Sequence, residues 1–274
     1  MTLEEILVPG PAIGLAGVIG LNGSDIKDGW TLPPLWHWVY LFDRPPQSDI
    51  AEDGHSRLGV PTPPSGGLRR MIAGGRLKTI HPLELGSTAT SELQVIRRQE
   101  RAGRSGPFTL VTVERTISQA GRVCLLEEQD VAYLTRRASN PRKAGSQASA
   151  PAPHVAPGGA QRAFEIDNTV LFRFSALTFN AHRIHYDSDY ARDVEGYADL
   201  IVHGPLQALL MSEWARHNYE ADVNFRAVTM SYRLTSPLML GQGLVLSCDR
   251  DGGVINAAVR DATGRITATS IIRS

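Results

Sequence analysis

The nine residues FNAHRIHYD, at positions 179–187, concentrate polar chemistry in an otherwise ordinary chain. They place two histidines, His182 and His185, beside Asn180 and Arg183. Imidazole titrates near neutral pH and is therefore the commonest proton-transfer group in enzymes. A carboxamide can orient water or a substrate, and a guanidinium can bind an anionic group. The segment therefore predicts a site for acid–base chemistry.

Plainer interpretations of the same residues stay open. Two imidazoles three positions apart, with His203 further on, can share a metal ion, but Arg183 stands between them and no carboxylate or cysteine partner is evident. No metal is therefore expected. Without its neighbours in the sequence, His185 would be interpreted as a buried histidine with a structural hydrogen bond. Arg183 can form an ion pair with Asp187 one helical turn later, an interpretation as well supported as a contact with a ligand.

Three elements must position these side chains. We predict a strand from Val170 to Leu177 before the polar loop and a short segment from Tyr186 to Arg192 after it. The stretch HGPLQALLMSEWARHN, 203–218, is predicted to be a buried helix that starts near Gly204, because proline is favoured at a helix start. Its apolar residues follow the spacing of one helix face: Leu206, Leu209, Leu210 and Trp214.

The chain also repeats itself. Residues 76–86 and 233–241 share the pattern Arg-Leu, a spacer, then Pro-Leu-x-Leu-Gly, and each is followed by β-branched, alternating segments with a Gly-Arg turn. This pattern predicts antiparallel strands. The apolar stretch 33–42, also opened by proline, is the predicted counterpart of the helix at 203–218. The same unit, a buried helix wrapped by an antiparallel sheet, is expected twice.

A change of composition separates the two copies. No acidic residue occurs between Val131 and Phe164, and the intervening sequence is rich in Pro, Ala and Ser, which is typical of a linker. We predict an N-terminal half at 1–137, a linker at 138–160 and a C-terminal half at 161–274.

Bulk composition excludes several classes of function. The chain has 274 residues, with 28 basic and 28 acidic side chains, so a nucleic-acid partner is not expected.

Cys124 and Cys248 have no metal-ligand spacing and are expected to be reduced and buried. No apolar run is long enough to span a membrane, and Glu4 and Glu5 stand where a signal peptide would be cationic. A cytoplasmic protein is expected.

The loop and the Val-His-Gly sequence at 202–204 resemble the MaoC-like enoyl-thioester hydratases of the hot-dog fold, whose loop typically reads Ser-Gly-Asp-x-Asn-Pro-Ile-His-x-Asp. Asn180 stands where the catalytic aspartate usually is, His182 replaces the asparagine and Arg183 replaces the proline. The present form is similar to a subgroup containing mesaconyl-C4-CoA hydratase, itaconyl-CoA hydratase and the 3-hydroxyacyl-thioester dehydratases. Residues 33–42, 45–55 and 69–75 also resemble that subgroup, so the likeness covers nearly the whole chain.

The resemblance implies an α+β double hot-dog with two antiparallel sheets, each wrapped around a central helix. It implies reversible hydration of a 2-enoyl-CoA, short and dicarboxylic, such as mesaconyl- or itaconyl-CoA, with no cofactor and a homodimeric assembly. The residues that it assigns to catalysis are His185, Asn180 and Gly204. Those assigned to substrate binding are His182, Arg183 and His203.

The chemistry of hydration fits this assignment. Water needs a base as it attacks Cβ, Cα needs a proton, and the thioester oxygen needs donors as it becomes negative. His185 is expected to transfer the proton, and Asn180 to hold the water or orient the substrate. The N–H of Gly204, at the positive end of the helix, is expected to donate to the thioester oxygen.

The first copy contains no equivalent loop; it offers only Asp25 and Asp28 before its predicted helix. We therefore expect it to form the wall and floor of the pocket without taking part in the chemistry. Two rival functions remain: a hot-dog protein that binds acyl thioesters without hydrating them, for which the missing aspartate is the best argument, and a hot-dog thioesterase.

Overall fold

The computed structural model describes residues 1–57, 61, 68–103, 106–135 and 159–274. The predicted linker lies outside these residues up to position 158, and Ala160 already begins a strand.

The predicted repeat is present, and each half runs strand, helix, helical segment and then four strands. The first half comprises β1 (Thr2–Ile6), α1 (Pro9–Val18), a 3₁₀ turn (Trp36–Val39), β2 (Leu68–Thr79), β3 (Thr88–Gly103), β4 (Gly106–Gln119) and β5 (Arg122–Thr135). The second comprises β6 (Ala160–Ala163), α2 (Asn168–Leu177), α3 (Gly204–Tyr219), β7 (Thr229–Leu234), β8 (Val245–Asp251), β9 (Val254–Arg260) and β10 (Ile266–Arg273). Shorter helical segments are Gln47–Asp49, Arg183–His185 and the π-helical turn Tyr190–Val194.

The strands form one continuous sheet in the order β1-β3-β4-β5-β2-β7-β10-β9-β8-β6, whereas two separate sheets were predicted. The halves are joined by antiparallel pairing of β2 with β7, in which Gly74 faces Arg233. A Cβ atom on Gly74 would lie 2.4 Å from the carbonyl oxygen of Tyr232. Glycine at this position therefore permits the close approach that joins the two halves.

The helix predicted at 203–218 is confirmed as α3, which is buried along most of its length and packs against β8, β9 and β10. The helix predicted at 33–42 is wrong, because only the 3₁₀ turn forms there. Leu35 and Leu41, on either side, have φ values of 71° and 54°, in the left-handed region that ends a right-handed helix. The indole of Trp36 donates instead to Glu213 of α3, at 2.7 Å, so this turn contacts the helix of the other half.

The strand predicted at 170–177 is also wrong, since this segment belongs to α2. Asp167 caps the helix by accepting a hydrogen bond from the N–H of Val170 at 2.8 Å. The buried residues Leu171, Phe174 and Ser175 follow the i, i+3, i+4 spacing of one helix face. α2 packs against α1, its counterpart in the repeat.

Two simpler expectations can be compared directly with the structure. Cys124 and Cys248 are buried free thiols, as predicted. Among the described residues, none of the helices has both the length and the apolar character that a membrane crossing requires.

Candidate active site

The polar loop that follows α2 is held by its own backbone. Phe179 adopts a left-handed φ of 50°, and the N–H of Asn180 donates to the carbonyl of Ser175 at 2.8 Å. The carboxamide oxygen of Asn180 accepts the backbone N–H of His182 at 3.0 Å. This arrangement is an Asx turn, which directs the chain into the 3₁₀ turn at Arg183–His185.

His185 is buried, with 6% of its surface exposed. Its Nδ1 lies 2.7 Å from the carbonyl oxygen of Ile201. A carbonyl can only accept a hydrogen bond, so Nδ1 carries the proton and Nε2 is left as the basic nitrogen. Burial lowers the pKa of His185 to about 4, more than the Ile201 hydrogen bond raises it, and His55 lowers it further. His185 is therefore a neutral imidazole at pH 7.

His203 supports this ring. The two imidazoles stack, with centroids 3.6 Å apart and planes inclined by 19°. His203 has no exposed surface, its Nε2 lies 2.8 Å from the hydroxyl of Ser175, and burial lowers its pKa well below the usual value. Because His203 immediately precedes α3, the stacking places His185 at the amino end of that helix. A direct contact between His203 and a substrate stays a prediction.

The first residues of α3 are accessible. Gly204 and Pro205 are partly exposed, and no side chain caps the helix. A Cβ atom on Gly204 would lie 2.2 Å from Cδ1 of Leu234, so a larger residue would displace that side chain. Free N–H groups and the helix dipole both favour negative charge at such an end. The role of this helix end as a cradle for a thioester oxygen stays a prediction.

Arg183 lies on the outer side of the loop. Its Nη2 donates to Oδ2 of Asp187 at 2.7 Å, and its guanidinium stacks over the ring of Tyr190. Asp187 also accepts the N–H of Tyr190, which lowers the pKa of the carboxyl group, as does the guanidinium. The ion-pair interpretation of Arg183 is thus confirmed, and a contact with substrate stays a prediction.

The structure adds a residue that the sequence left unassigned. His55 belongs to a tight hairpin of the N-terminal half, closed by a bridge between Ile50 and Ser56. Its ring lies against that of His182, with centroids 4.1 Å apart. His182 is itself 5.5 Å from His185, centroid to centroid. Successive ring contacts therefore connect four imidazoles across the two halves: those of His55, His182, His185 and His203. We call these four residues the histidine row.

The hairpin is locked against the polar loop by its backbone. The N–H of Arg183 donates to the carbonyl of Asp53 at 2.9 Å. Gly54 has a φ of 93°, and a Cβ atom there would lie 1.7 Å from the carbonyl oxygen of Ala181. Only glycine fits so close to the other chain segment. The Asp-Gly pair at 53–54 is a turn signal in the sequence, but its contact with residues 181–183 depends on tertiary structure.

The imidazoles of the histidine row are neutral at pH 7. Burial is the largest cause that lowers the pKa of His182 well below its usual value, and neighbouring His55 and His185 lower it further. Burial likewise lowers the pKa of His55, although its hydrogen bond to Asp53 opposes the shift. A buried imidazolium beside other imidazoles is costly, so these groups are poised to accept protons only transiently.

Among the residues that the structure describes, one set could hold a cation. The ligand atoms of Asp53, His55 and His182 all lie within 4.8 Å of one another. This set differs from the three histidines considered in the sequence, and Asp53 supplies the carboxylate that sequence analysis did not find. In the structure, however, Oδ2 of Asp53 lies 3.1 Å from Nδ1 of His55, so a cation would have to replace their hydrogen bond.

An open cleft of about 650 Å³ lies elsewhere, at the carboxyl end of α3. It is lined by residues 30–33 and by residues of the segment 216–226. The carboxyl end of a helix presents carbonyl groups and partial negative charge, which oppose a developing anion. The histidine row at the amino end is therefore the better candidate for the reaction.

Comparison with known proteins gives consistent results. Residues 35–240 match the family model for hydroxyacyl-thioester dehydratase type 2. Mesaconyl-C(4)-CoA hydratase of Chloroflexus aurantiacus is 44% identical over 220 residues, which cover 79% of this chain and 74% of that protein.

Solved structures support the fold. A MaoC-like dehydratase from Phytophthora capsici superposes with a TM-score of 0.71 at 16% identity, covering 100% of this chain and 95% of that one. A Mycobacterium tuberculosis protein with a double hot-dog fold superposes with a TM-score of 0.59 at 16% identity, covering 99% and 94%. The chain has a hot-dog fold, here with its strands in one sheet.

Proposed function

This chain belongs to the hydroxyacyl-thioester dehydratase type 2 family, and we propose that it is a hydro-lyase that hydrates a 2-enoyl-CoA thioester reversibly. The observation that carries the proposal is the position of His185. A neutral imidazole whose Nε2 can accept a proton is stacked on the residue that precedes α3, and no side chain caps that helix. This supports a base beside a helix end that can stabilise a developing anion.

In this mechanism Nε2 of His185 removes a proton from water as the water oxygen bonds to Cβ. The π electrons move toward Cα and the thioester oxygen, and Gly204 donates its N–H to that oxygen. The imidazolium then gives its proton to Cα, so the enzyme ends the cycle unchanged. The low pKa of His185 makes its imidazolium a strong acid for this second step, and it makes the imidazole a correspondingly weaker base in the first.

The remaining predicted residues have supporting roles. Asn180 fixes the loop with its carboxamide oxygen, and its amide nitrogen is available to orient the substrate. The ring of His182 lies next to the rings of both His55 and His185. For the acyl group we propose a short dicarboxylic chain, because the 44% identical relative is named as a mesaconyl-C(4)-CoA hydratase. Arg183, partly exposed, is the candidate receptor for the free carboxylate.

Assays with crotonyl-CoA and mesaconyl-CoA test the proposal. Loss of the enoyl absorbance, with appearance of a 3-hydroxyacyl-CoA by mass spectrometry, is the expected result. Release of free thiol would identify a thioesterase. Binding without any change in either acyl-CoA would favour the non-catalytic binding protein.

We also propose a homodimer and a cytoplasmic location. β1 and β6 end the ten-stranded sheet and offer edges to a second copy. The edge-to-edge pairing of two hot-dog units is, however, already made within the chain by β2 and β7. Sedimentation analysis tests the assembly, and fractionation of cells tests the location.

A further inference from the structure

Asp53, His55 and His182 bring together donor atoms that suit a transition-metal ion. One oxygen of the carboxylate and one nitrogen of each ring lie within 4.8 Å of one another. Two imidazoles and a carboxylate are typical ligands of Zn²⁺ and related ions, whereas Mg²⁺ and Ca²⁺ prefer oxygen ligands alone. The set is divided between the halves, since the polar loop supplies only His182. A ligand spacing within one segment of the sequence therefore does not indicate it.

The separations between these atoms are close to those that zinc requires. Ligand atoms about 2.0–2.1 Å from a tetrahedral ion are about 3.3 Å apart. Oδ2 of Asp53 and Nδ1 of His55 are 3.1 Å apart, so an ion can replace the proton of their hydrogen bond with little movement of either atom. A ligand atom 4.8 Å from another must move by about 1.5 Å. Rotation of the His182 ring about its bond to Cβ, a torsion with broad preferences, supplies such a movement.

Hydrogen bonds of the backbone hold the carboxylate and the hairpin in place. The N–H of His55 donates to Oδ1 of Asp53 at 3.0 Å, so the other carboxylate oxygen, Oδ2, is the one beside the ring. The N–H of Arg183 donates to the carbonyl of Asp53 at 2.9 Å, which fixes the hairpin against the loop that carries His182. Outer contacts of this kind orient metal ligands and reduce the entropy lost on binding.

The ring of His182 is the least committed of the three ligands. His182 is only 6% exposed, yet within the described ranges of the chain no hydrogen bond reaches either of its ring nitrogens. A buried nitrogen that can accept is expected to have a partner. The side chains of His55 and Asp53 are 21% and 13% exposed, so an ion can reach this partner position from solvent.

We propose that Asp53, His55 and His182 form a binding site for one divalent transition-metal ion such as Zn²⁺. The ion links the hairpin of the N-terminal half to the polar loop of the C-terminal half. Three protein ligands leave a fourth position for water or an anion. The site is an addition to the proposed hydration, and the measurements that test it contain no substrate, so either can fail without the other.

Arg70 limits the affinity of this site. Beyond burial, its positive charge contributes to the low pKa of both His55 and His182, so its field reaches the ligands. The single negative charge of Asp53 offsets the guanidinium and leaves the charge of the ion uncompensated. We therefore expect a dissociation constant on the order of 10⁻⁶ M, weaker than that of sites with four protein ligands, and an anion in the fourth position.

Cobalt titration of the full chain, prepared without a histidine tag, tests the site. We expect visible absorption that saturates at one Co²⁺ per chain, is abolished by Zn²⁺ and is unaffected by Mg²⁺. Asp53→Asn and His182→Ala each remove a ligand and should weaken binding at least about 100-fold. His81→Gln, on an exposed histidine, is the matched control and should bind Co²⁺ like the wild type.

A thiol at position 55 gives direct evidence of ligation. His55→Cys replaces a nitrogen ligand with sulfur, which also binds Zn²⁺ and Co²⁺. A sulfur-to-cobalt charge-transfer band should appear in this variant and be absent from the wild type, whose Cys124 and Cys248 are buried. Binding of Co²⁺ by His55→Cys without this band would show that residue 55 is not a ligand, and would overturn the proposed set.

Melting temperatures complete the test. Because the assembled site exists only in the folded chain, Zn²⁺ should raise the melting temperature of the wild type above that in EDTA. This rise should be lost in Asp53→Asn and His182→Ala, whose folding in EDTA is checked by circular dichroism. If one of them does not fold, the other and His55→Cys decide. Absence of saturable Co²⁺ binding by the wild type would overturn the proposal, as would binding that is undiminished in the folded variants.

Discussion

The two halves of the chain have the same order of elements and differ most at their centres. The C-terminal half has the 16-residue helix α3, preceded by a loop with three histidines. The N-terminal half has a four-residue 3₁₀ turn, and its indole from Trp36 reaches over to α3. The C-terminal half thus has a long helix at its centre, and the N-terminal half has a short turn that contacts this helix through Trp36.

Buried polar groups in the two halves also serve different purposes. In the N-terminal half, Glu127 is 3% exposed and accepts from the indole of Trp38 at 2.7 Å, while His37 lies 3.0 Å away. Burial raises the pKa of Glu127, but neighbouring His37 and Arg115 and the hydrogen bonds from His37 and Trp38 together lower it further than burial raises it. Both carboxylate oxygens of Glu127 are satisfied within this cluster. In the histidine row, by contrast, His185 and His55 each retain an acceptor nitrogen.

The largest effect on stability is expected from removing the centre of the N-terminal cluster. Glu127→Ala leaves Arg115 and His37 buried without their partner and should lower the free energy of unfolding by about 3–5 kcal/mol. Turnover at low temperature should persist, because the cluster has no part in the reaction. Glu128→Ala, an adjacent surface residue paired with Arg76, should cost less than about 1 kcal/mol. Denaturant titration measures the free energy of unfolding of both variants. A similar loss of stability in Glu127→Ala and Glu128→Ala would contradict the structural role of the buried cluster.

A pH effect should come from the histidine row. The unfolded chain binds protons on histidine below about pH 6.5, whereas folded His185 does so only near pH 4. Stability is therefore complete above pH 6.5 and falls as the pH drops toward 4, by up to about 3 kcal/mol for this residue.

The measurement compares wild type with His185→Asn by denaturant titration at several pH values between 7.5 and 4.5. The variant should lose stability less steeply as the pH falls. His81→Asn, at an exposed position, should follow the wild type. Identical slopes for wild type and His185→Asn would show that His185 is not held neutral by burial.

Adding a single Cβ atom at Gly54 should break the contact between the hairpin and the polar loop. Gly54→Ala would place Cβ 1.7 Å from the carbonyl oxygen of Ala181, so the hairpin must move away from the loop. We expect kcat to fall about 10²-fold, because displacements near 1 Å are costly in catalysis. Gly121→Ala has a similar positive φ of 75° with open space around its Cβ position, so it should keep its activity. Equal activities would show that the hairpin does not position the site.

The smallest effect is expected at the outer ion pair. Asp187→Asn removes the partner of Arg183 on a partly exposed surface and should cost less than about 1 kcal/mol. If Arg183 binds the free carboxylate of the substrate, KM for mesaconyl-CoA should change in this variant while KM for crotonyl-CoA stays constant. Equal KM values for mesaconyl-CoA in variant and wild type would argue against Arg183 as the carboxylate receptor.

The sequence predicted those elements whose periodicity is long and regular. The strands β3–β5 and β8–β10 and the helix α3 were correctly recognised from alternation and from helix spacing. The short apolar segment 170–177 was misjudged, because its β-branched and aromatic residues fit a buried strand as well as a helix face. The segment 33–42 forms only a 3₁₀ turn, whose Trp36 bonds to Glu213 of α3, a contact that the local sequence does not show.

Prediction of the site was limited in the same way. The loop at 179–187 and the start of α3 were visible as local motifs, and the structure brings His185 and His203 into contact there. The position of His55 depends on a hairpin from the other half that meets the loop through backbone contacts. Contacts between distant segments leave no characteristic residue spacing in the sequence. His55 therefore could not be assigned to the site from the sequence alone.

The most direct test of the account is the turnover of His185→Ala on an enoyl-CoA that the wild-type protein hydrates. Removal of the proton-transfer group should lower kcat at least about 10³-fold, while circular dichroism shows the fold retained. Glu127→Ala, assayed beside it, should show the opposite behaviour: lower stability with turnover preserved. Full turnover by folded His185→Ala would contradict the assignment of the chemistry to the amino end of α3.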